Sequence, residues 1–390
     1  MTFRHWLPVF GLLLPACGPS PGPGATTTRD SAGVRIVESS APRWAGEGGW
    51  QVDPEPLLDL SRRSGREYEF FRVGHAVRFR DGRIAVANRG SSEVRVYSAS
   101  GEFLRSLGRD GDGPGEFRRL TSVHEAADSV LAFDYWQRRI TIFSLDGAGT
   151  RTIDLPQIDA TIWRIALLSD GQVIGSRYDF DNITGPGLYR VLYVIFRLDL
   201  ADLHAETIAQ VSGAEGFQFE HGDARPLFQR DGFFAVHGDR VYLGDGDSLE
   251  IEVRDNGGRV ERIMRVPGYD LRITAAELAT ERDALVPPAS APAELREVVS
   301  KMPDRATRPA YSNLLVDAAG NVWLPEYLSI AERDRPLRCN VLSPEGEWLG
   351  TVALPARFAP YQIGADYVLG LRRDEADVER VQLLRLTRTQ

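Results

Sequence analysis

Residues 82–108 read GRIAVANRGSSEVRVYSASGEFLRSLG. Three segments in which apolar and polar residues alternate are separated here by a polar turn and a Ser-Gly turn, the pattern of a short antiparallel meander. Residues 128–147, DSVLAFDYWQRRITIFSLDG, keep every apolar position in phase with it at an offset of 46. The first of these strands recurs four more times, at 172–177 (QVIGSR), 240–245 (RVYLGD), 321–326 (NVWLPE) and 366–371 (DYVLGL). Counted from Arg83, the successive spacings are 46, 43, 68, 81 and 45. A period in the mid-forties with several strands per period predicts an all-β, six-bladed β-propeller, one sheet per repeat.

The last repeat has room for three strands before Gln390, at about 359–364, 366–372 and 378–386. The fourth is supplied from the other end, because PLLDLS at 56–61 matches EFLRSLG at 102–108. An N-terminal strand that completes the last blade leaves no unpaired sheet edge at the seam. The length of 390 residues would ordinarily suggest two or three domains; the repeat makes them one ring.

The 82–108 stretch, followed by GRDGDGPGEF, resembles NHL-type propeller repeats, and the body from about Asp30 resembles bacterial six-bladed β-propeller lipoproteins. Such propellers include binding modules and a few enzymes, so the fold does not choose a function.

Composition excludes several classes. The chain carries 46 Lys and Arg against 55 Asp and Glu, a net charge of −9, with the signs mixed and no basic run, so nucleic acid is not expected as a partner. Cys17 and Cys339 are the two cysteines; they are too few and too far apart for a disulfide scaffold or a zinc ribbon. Cys339 lies in an alternating run and reads as a buried core residue.

Residues 1–16 form an export signal, with Arg4 and His5 ahead of an apolar stretch too short to span a bilayer. Leu14-Pro15-Ala16-Cys17 resembles the lipobox of bacterial lipoproteins, although Pro15 replaces the usual small residue. The resemblance implies cleavage before Cys17 and its acylation. Residues 17–32, which include GPSPGPGATTT, read as a flexible tether, and residues 33–390 as the propeller. The expected location is the cell envelope, with the outer membrane preferred because Gly18 replaces the Asp that, in Gram-negative lipoproteins, often retains the protein at the inner membrane. Membrane contact is expected through lipid only, since the acidic body gains nothing from anionic headgroups.

Departures from the period mark one face. In a propeller the loops from second to third strand and from blade to blade emerge on the same side of the disc, and the excess length falls there, at 179–190, 212–226 and 269–310. The last is helical: Thr274-Ala-Ala-Glu277 resembles a capping box, and a second short helix follows Pro292. This insertion, between blades four and five, reads either as a lid over the channel or as packing on the rim.

On that face the second strands end at Asn88, Asp134, Arg177, Asp245, Glu326 and Leu371, beside Arg89, Tyr135, Trp136, Tyr178, Asp247, Tyr327 and Arg372. Polar and aromatic groups around a mouth suit a ligand site. Asn88 and Asp134 also suit the role of accepting hydrogen bonds from the following turn. Arg177, Tyr135, Trp136 and Tyr327, poorly suited to turn-making, are the stronger contact residues.

Catalytic constellations are weak, and no catalytic residue is assigned. The repeat offsets put His75, His124 and His237 at three depths, not one metal tripod. No cofactor is expected; zinc at the histidines and calcium at Asp245-Gly-Asp247 are the remaining openings. The favoured reading is a lipid-anchored binding module for a protein, peptide or glycan on the inserted-loop face. The alternative is an extracytoplasmic metal-dependent hydrolase or lyase, lactonase-like or amidating-lyase-like, acting at the channel mouth.

Overall fold

The computed structural model describes residues 25–44, 49–155, 162–181, 183, 185–220, 222–286 and 293–389. Cys17 and the export signal lie outside them. Six of the sheets are arranged as consecutive blades, and a two-stranded pair, Arg109–Asp110 with Glu116–Phe117, lies in the connection from blade one to blade two. Blade one is the meander Val73–Arg78, Ile84–Asn88, Glu93–Tyr97 and Phe103–Leu107. Blade two repeats it with Leu120–Ala126, Ser129–Asp134, Arg139–Ser144 and Thr150–Asp154.

The turn from first to second strand is built the same way in several blades. Asp81 Oδ1 accepts the amide hydrogen of Arg83 at 3.0 Å, and Asp170 Oδ1 does the same for Gln172. The residues between them, Gly82 and Gly171, have φ of +90° and +85°, which a side chain would strain. That local chemistry fixes each hairpin's register.

The second strand is the most buried element of its blade. All of Ile84–Asn88 is buried, because each sheet packs against a neighbour on both faces. The apolar clusters follow from this. One joins blades one and two through Ala85, Val94, Phe117, Val130 and Phe143. Others join two to three around Phe133 and Phe196, three to four around Tyr193 and Phe234, four to five around Ile251 and Tyr311, and five to six around Trp323 and Val352. The ring closes through Ile84, Tyr97, Leu369 and Leu383 between blades six and one.

The N-terminal closing strand is present and longer than the sequence suggested. Gln51–Asp59 is the fourth strand of blade six, antiparallel to Glu379–Thr387, with Leu383 opposite Leu58 and Leu384 opposite Pro56. Gln382 Nε2 donates to Asp59 Oδ2 at 2.8 Å inside this seam.

A second addition was not foreseen. Val34–Ser39 runs parallel to Val260–Arg265 on the outer edge of blade four, and Thr26–Ser31 pairs with it as a sixth, outermost strand. The expected tether over 17–32 therefore becomes strand from Thr26. Ile36 and Val37 are buried there, and Arg265 pairs with Glu38. Both N-terminal segments thus staple blades far apart in sequence.

The helices of the insertion are Ala275–Leu285 (α1) and Ala293–Lys301 (α2). The capping box forms: the Glu277 amide donates to Thr274 Oγ1 at 3.2 Å, and the Thr274 amide to Glu277 Oε2 at 2.7 Å. Arg282 ties the helices by donating to the carbonyls of Val299 and Met302.

Candidate functional site

The first strands of the blades surround a central cavity of about 810 Å³. Its wall comes from all six blades, with Gly74, Thr121, Trp163, Phe234, Leu315 and Phe358 among the lining residues. None of the described residues of 269–310 lines it. The insertion instead packs on the rim, where Val298 and Met302 join Leu227, Phe228 and Tyr327 in an apolar cluster, and Glu281 accepts the amide hydrogen of Ile330. That is the arrangement of a rim element rather than a lid.

The polar residues that end the second strands divide into two groups. Asp134, fully buried, accepts the amides of Arg118 and Arg119 through Oδ2 at 2.7 Å each and that of Gln137 through Oδ1 at 2.8 Å. Asn88 accepts the Phe71 amide at 3.0 Å. Both pin the incoming blade-to-blade loop to the blade it enters. Asp245 accepts the Asp247 amide, and Asp247 is held by Arg190 at 2.7 Å and Arg230 at 3.1 Å. Their oxygens are thus committed to arginines and backbone, which does not suit calcium.

Arg177 lies 3.8 Å from Asp179. Glu326 sits between Arg335 and Arg338 beside a separate, smaller hollow under the insertion, and burial raises its carboxyl pKa. Tyr327 is 7% exposed, so it is a core residue beneath the insertion and not a contact at the mouth. Arg372 is half-buried at the end of its strand.

Arg89, Tyr135, Trp136 and Tyr178 gather at the cavity's edge with residues that the sequence did not single out. Tyr135 meets Trp163 edge-on at 5.1 Å, and Trp163 in turn lies 5.6 Å from Tyr178. Tyr178 donates its hydroxyl to Asp231 at 2.9 Å; burial raises the pKa of both groups. The guanidinium of Arg119 stacks 5.0 Å over Tyr135 and 5.9 Å over Trp136. Phe71, Trp136, Trp163 and Phe180 are 60%, 69%, 41% and 56% exposed. Phe71, Trp136 and Phe180 lie on connections of the same face and Trp163 at the start of the first strand of blade three, all across blades one to three and away from the helical insertion.

Deeper in the channel His75 and His124 stack with ring centroids 5.6 Å apart. Equal offsets had placed them at different depths. The register keeps that difference, with His75 opposite Ala87 and His124 opposite Leu131, and the two side chains span it across the adjacent first strands. His75 Nδ1 is 2.9 Å from the Val123 carbonyl, and His124 Nε2 is 2.9 Å from Ser122 Oγ. Burial, with the nearby Arg164 charge, lowers His75 to about 4 and His124 to about 3. Both rings are neutral at neutral pH and thus competent as nitrogen ligands. Among the described residues, however, no group of three His, Cys, Asp or Glu side chains is placed to hold a metal.

Cys339 is buried, and burial pushes its thiol pKa up, away from nucleophile chemistry.

Residues 69–189 match a family profile, DUF5128, described as a 6-bladed beta-propeller. A search of curated proteins finds no sequence match. Among solved structures, a candidate exported protein from Bacteroides fragilis is similar over 91% of this chain and 100% of its own, at 13% identity and a TM-score of 0.53. A DUF4221 family member from Bacteroides vulgatus is similar over 88% of this chain and 100% of its own, at 9% identity and a TM-score of 0.53. Virginiamycin B lyase from Staphylococcus aureus is more distant, with a TM-score of 0.44 at 10% identity over 85% of this chain and 98% of its own. At such identities the likeness is one of architecture, and the chain is a six-bladed β-propeller.

Proposed function

We propose that this chain is an extracytoplasmic, lipid-anchored propeller that binds a peptide, protein or glycan at the channel mouth over blades one to three. The observation that carries the reading is the aromatic crescent. Exposed Phe71, Trp136, Trp163 and Phe180 stand on one face beside a cavity lined by Tyr135 and Trp163, with Tyr178 packed against Trp163. Exposed large apolar side chains cost hydration free energy singly, and when clustered on one face they mark an interaction site. The metal-dependent hydrolase or lyase alternative needs a third donor beside His75 and His124, and the described residues bring none to that point.

The test is an array of envelope glycans and peptides probed with the purified mature chain and its Trp163→Ala variant. Trp163 is 41% exposed, so its removal should leave the fold intact. One ligand class should be retained by the native protein and lost at least tenfold by the variant. Equal binding by both proteins, or none by either, overturns the reading.

Anchoring has its own test. With acyl chains on Cys17, the protein should sediment with membranes, and Cys17→Ser should release it to the soluble fraction. Membrane retention of that variant would remove lipidation from the proposal.

A further inference from the structure

Arg89, Arg119 and Arg164 line the channel cavity, and among the described residues none of their guanidinium groups has a hydrogen-bond or ion-pair partner. This is unusual in a molecule where carboxylates outnumber basic groups and most arginines on the rim are paired, as Arg190 is with Asp247 and Arg308 with Glu332. Among the described residues the only acidic one lining the cavity is Glu125, which accepts the Arg80 amide at 3.1 Å. Asp231, whose carboxyl feels the Arg164 charge, is already engaged by the Tyr178 hydroxyl and the Gly232 amide. The channel is thus a local cationic site inside an acidic protein.

The cations are presented beside flat apolar surfaces. Arg119 lies over the faces of Tyr135 and Trp136, and Arg164 lies 5.9 Å from the ring of Phe234. Stacking occupies the face of a guanidinium and leaves its edge N–H groups free, and that edge matches a carboxylate in two parallel hydrogen bonds. Asp134 fixes the backbone of Arg119 through its amide, so this cation is pre-positioned at the mouth. The neutral histidine pair below adds no competing charge.

Resting on the binding reading above, we infer that the mouth recognises a small carboxylate joined to a flat ring, the carboxylate at the arginines and the ring against Tyr135 and Trp163. A uronic-acid sugar and an aromatic acid share this chemistry, and a cavity of about 810 Å³ admits either.

The experiment is calorimetric titration of the purified mature chain with digalacturonate and, separately, with 4-hydroxybenzoate, each beside its methyl ester. At least one acid should bind tenfold or more tighter than its ester. Arg119→Gln and Arg164→Gln should each weaken that acid about tenfold and leave the ester unchanged. Arg72→Gln, an arginine stacked on Phe71 and absent from the cavity lining, should change nothing. The acid that binds tells sugar from aromatic source. Esters that bind as well as their acids, with binding lost in Trp163→Ala, overturn the carboxylate inference while the binding reading survives. Acid binding unchanged in both arginine variants also overturns it. No binding of any probe to a protein with an intact melting transition overturns it too, and the array then decides the broader reading separately.

Discussion

Deleting residues 25–59 should remove the cooperative melting transition and give a chain that aggregates on size-exclusion chromatography. Among the described residues the strand Gln51–Asp59 is the only cover for the outer edge of Glu379–Thr387, and its loss exposes a row of unpaired backbone groups. It also removes the side chains that seal the seam. Leu58 and Val52 pack into the clusters on either side of blade six, and Trp50 lies 5.9 Å from Trp323 and 4.2 Å from the Arg388 guanidinium. At about 1.5–3 kcal/mol for each large apolar side chain, those three account for about 4.5–9 kcal/mol. That is comparable to the whole stability of an ordinary domain.

Deleting 25–39 alone should be milder, a drop in melting temperature with a monomer retained. Thr26–Ser31 is exposed at every position, and only Ile36 and Val37 contribute buried apolar surface. Should both deletions melt like the native chain, the N-terminal strand would not be what closes the ring.

The closing strand could be read from the sequence because the last repeat visibly lacks one and PLLDLS carries the right alternation. The hairpin on blade four could not. Its outer strand, TTTRDS, has no apolar face, and it is held by backbone pairing and by the contact of Arg265 with Glu38 across 227 positions. Neither leaves a periodic trace. Beside a Gly- and Pro-rich run, such residues look like linker.

The site divides in the same way. Second-strand ends are visible because the repeat marks them, and Asp134 and Asn88 there have the backbone-capping geometry that acids and amides favour. The wall of the channel belongs to first strands, whose inward positions face solvent and carry no apolar rhythm. Trp163, Arg164 and His124 had no apolar pattern to announce them, because the inward positions of first strands have no periodic partner to mark. Tyr327 failed for a different reason: an aromatic after a second strand reads as a mouth contact unless the insertion that buries it is known. Inward positions of each first strand, taken together, would have been the better signal.

Asp317→Ala should destabilise the protein by about 3–5 kcal/mol in urea titration. Asp317 is 0% exposed and is the hub of blade five. Its Oδ1 accepts the amides of Ala319 and Asn321 at 2.9 Å each and the Asn321 side chain at 3.0 Å. Its Oδ2 accepts the Asn321 side chain and Trp323 Nε1 at 2.9 Å each and Arg388 Nη2 at 2.8 Å. Removing the carboxylate leaves these donors unpaired in a site with little room for water, and the cost of stranding them exceeds the modest net value of each bond. The same group links the first hairpin of blade five to the C-terminal segment, because Arg388 also donates to the carbonyls of Ala365 and Gly364 and covers Trp50. Arg388→Ala should therefore cost less, about 1–2 kcal/mol, since one partner of the hub is lost while the other donors keep theirs. The double variant should cost little more than Asp317→Ala alone, because the arginine's bond to the carboxylate is already gone. Full additivity of the two losses would mean that Arg388 acts through Trp50 and the carbonyls rather than through the carboxylate. An Asp317→Ala variant within about 1 kcal/mol of the native chain would show that blade five is held by its apolar cluster and not by this hub.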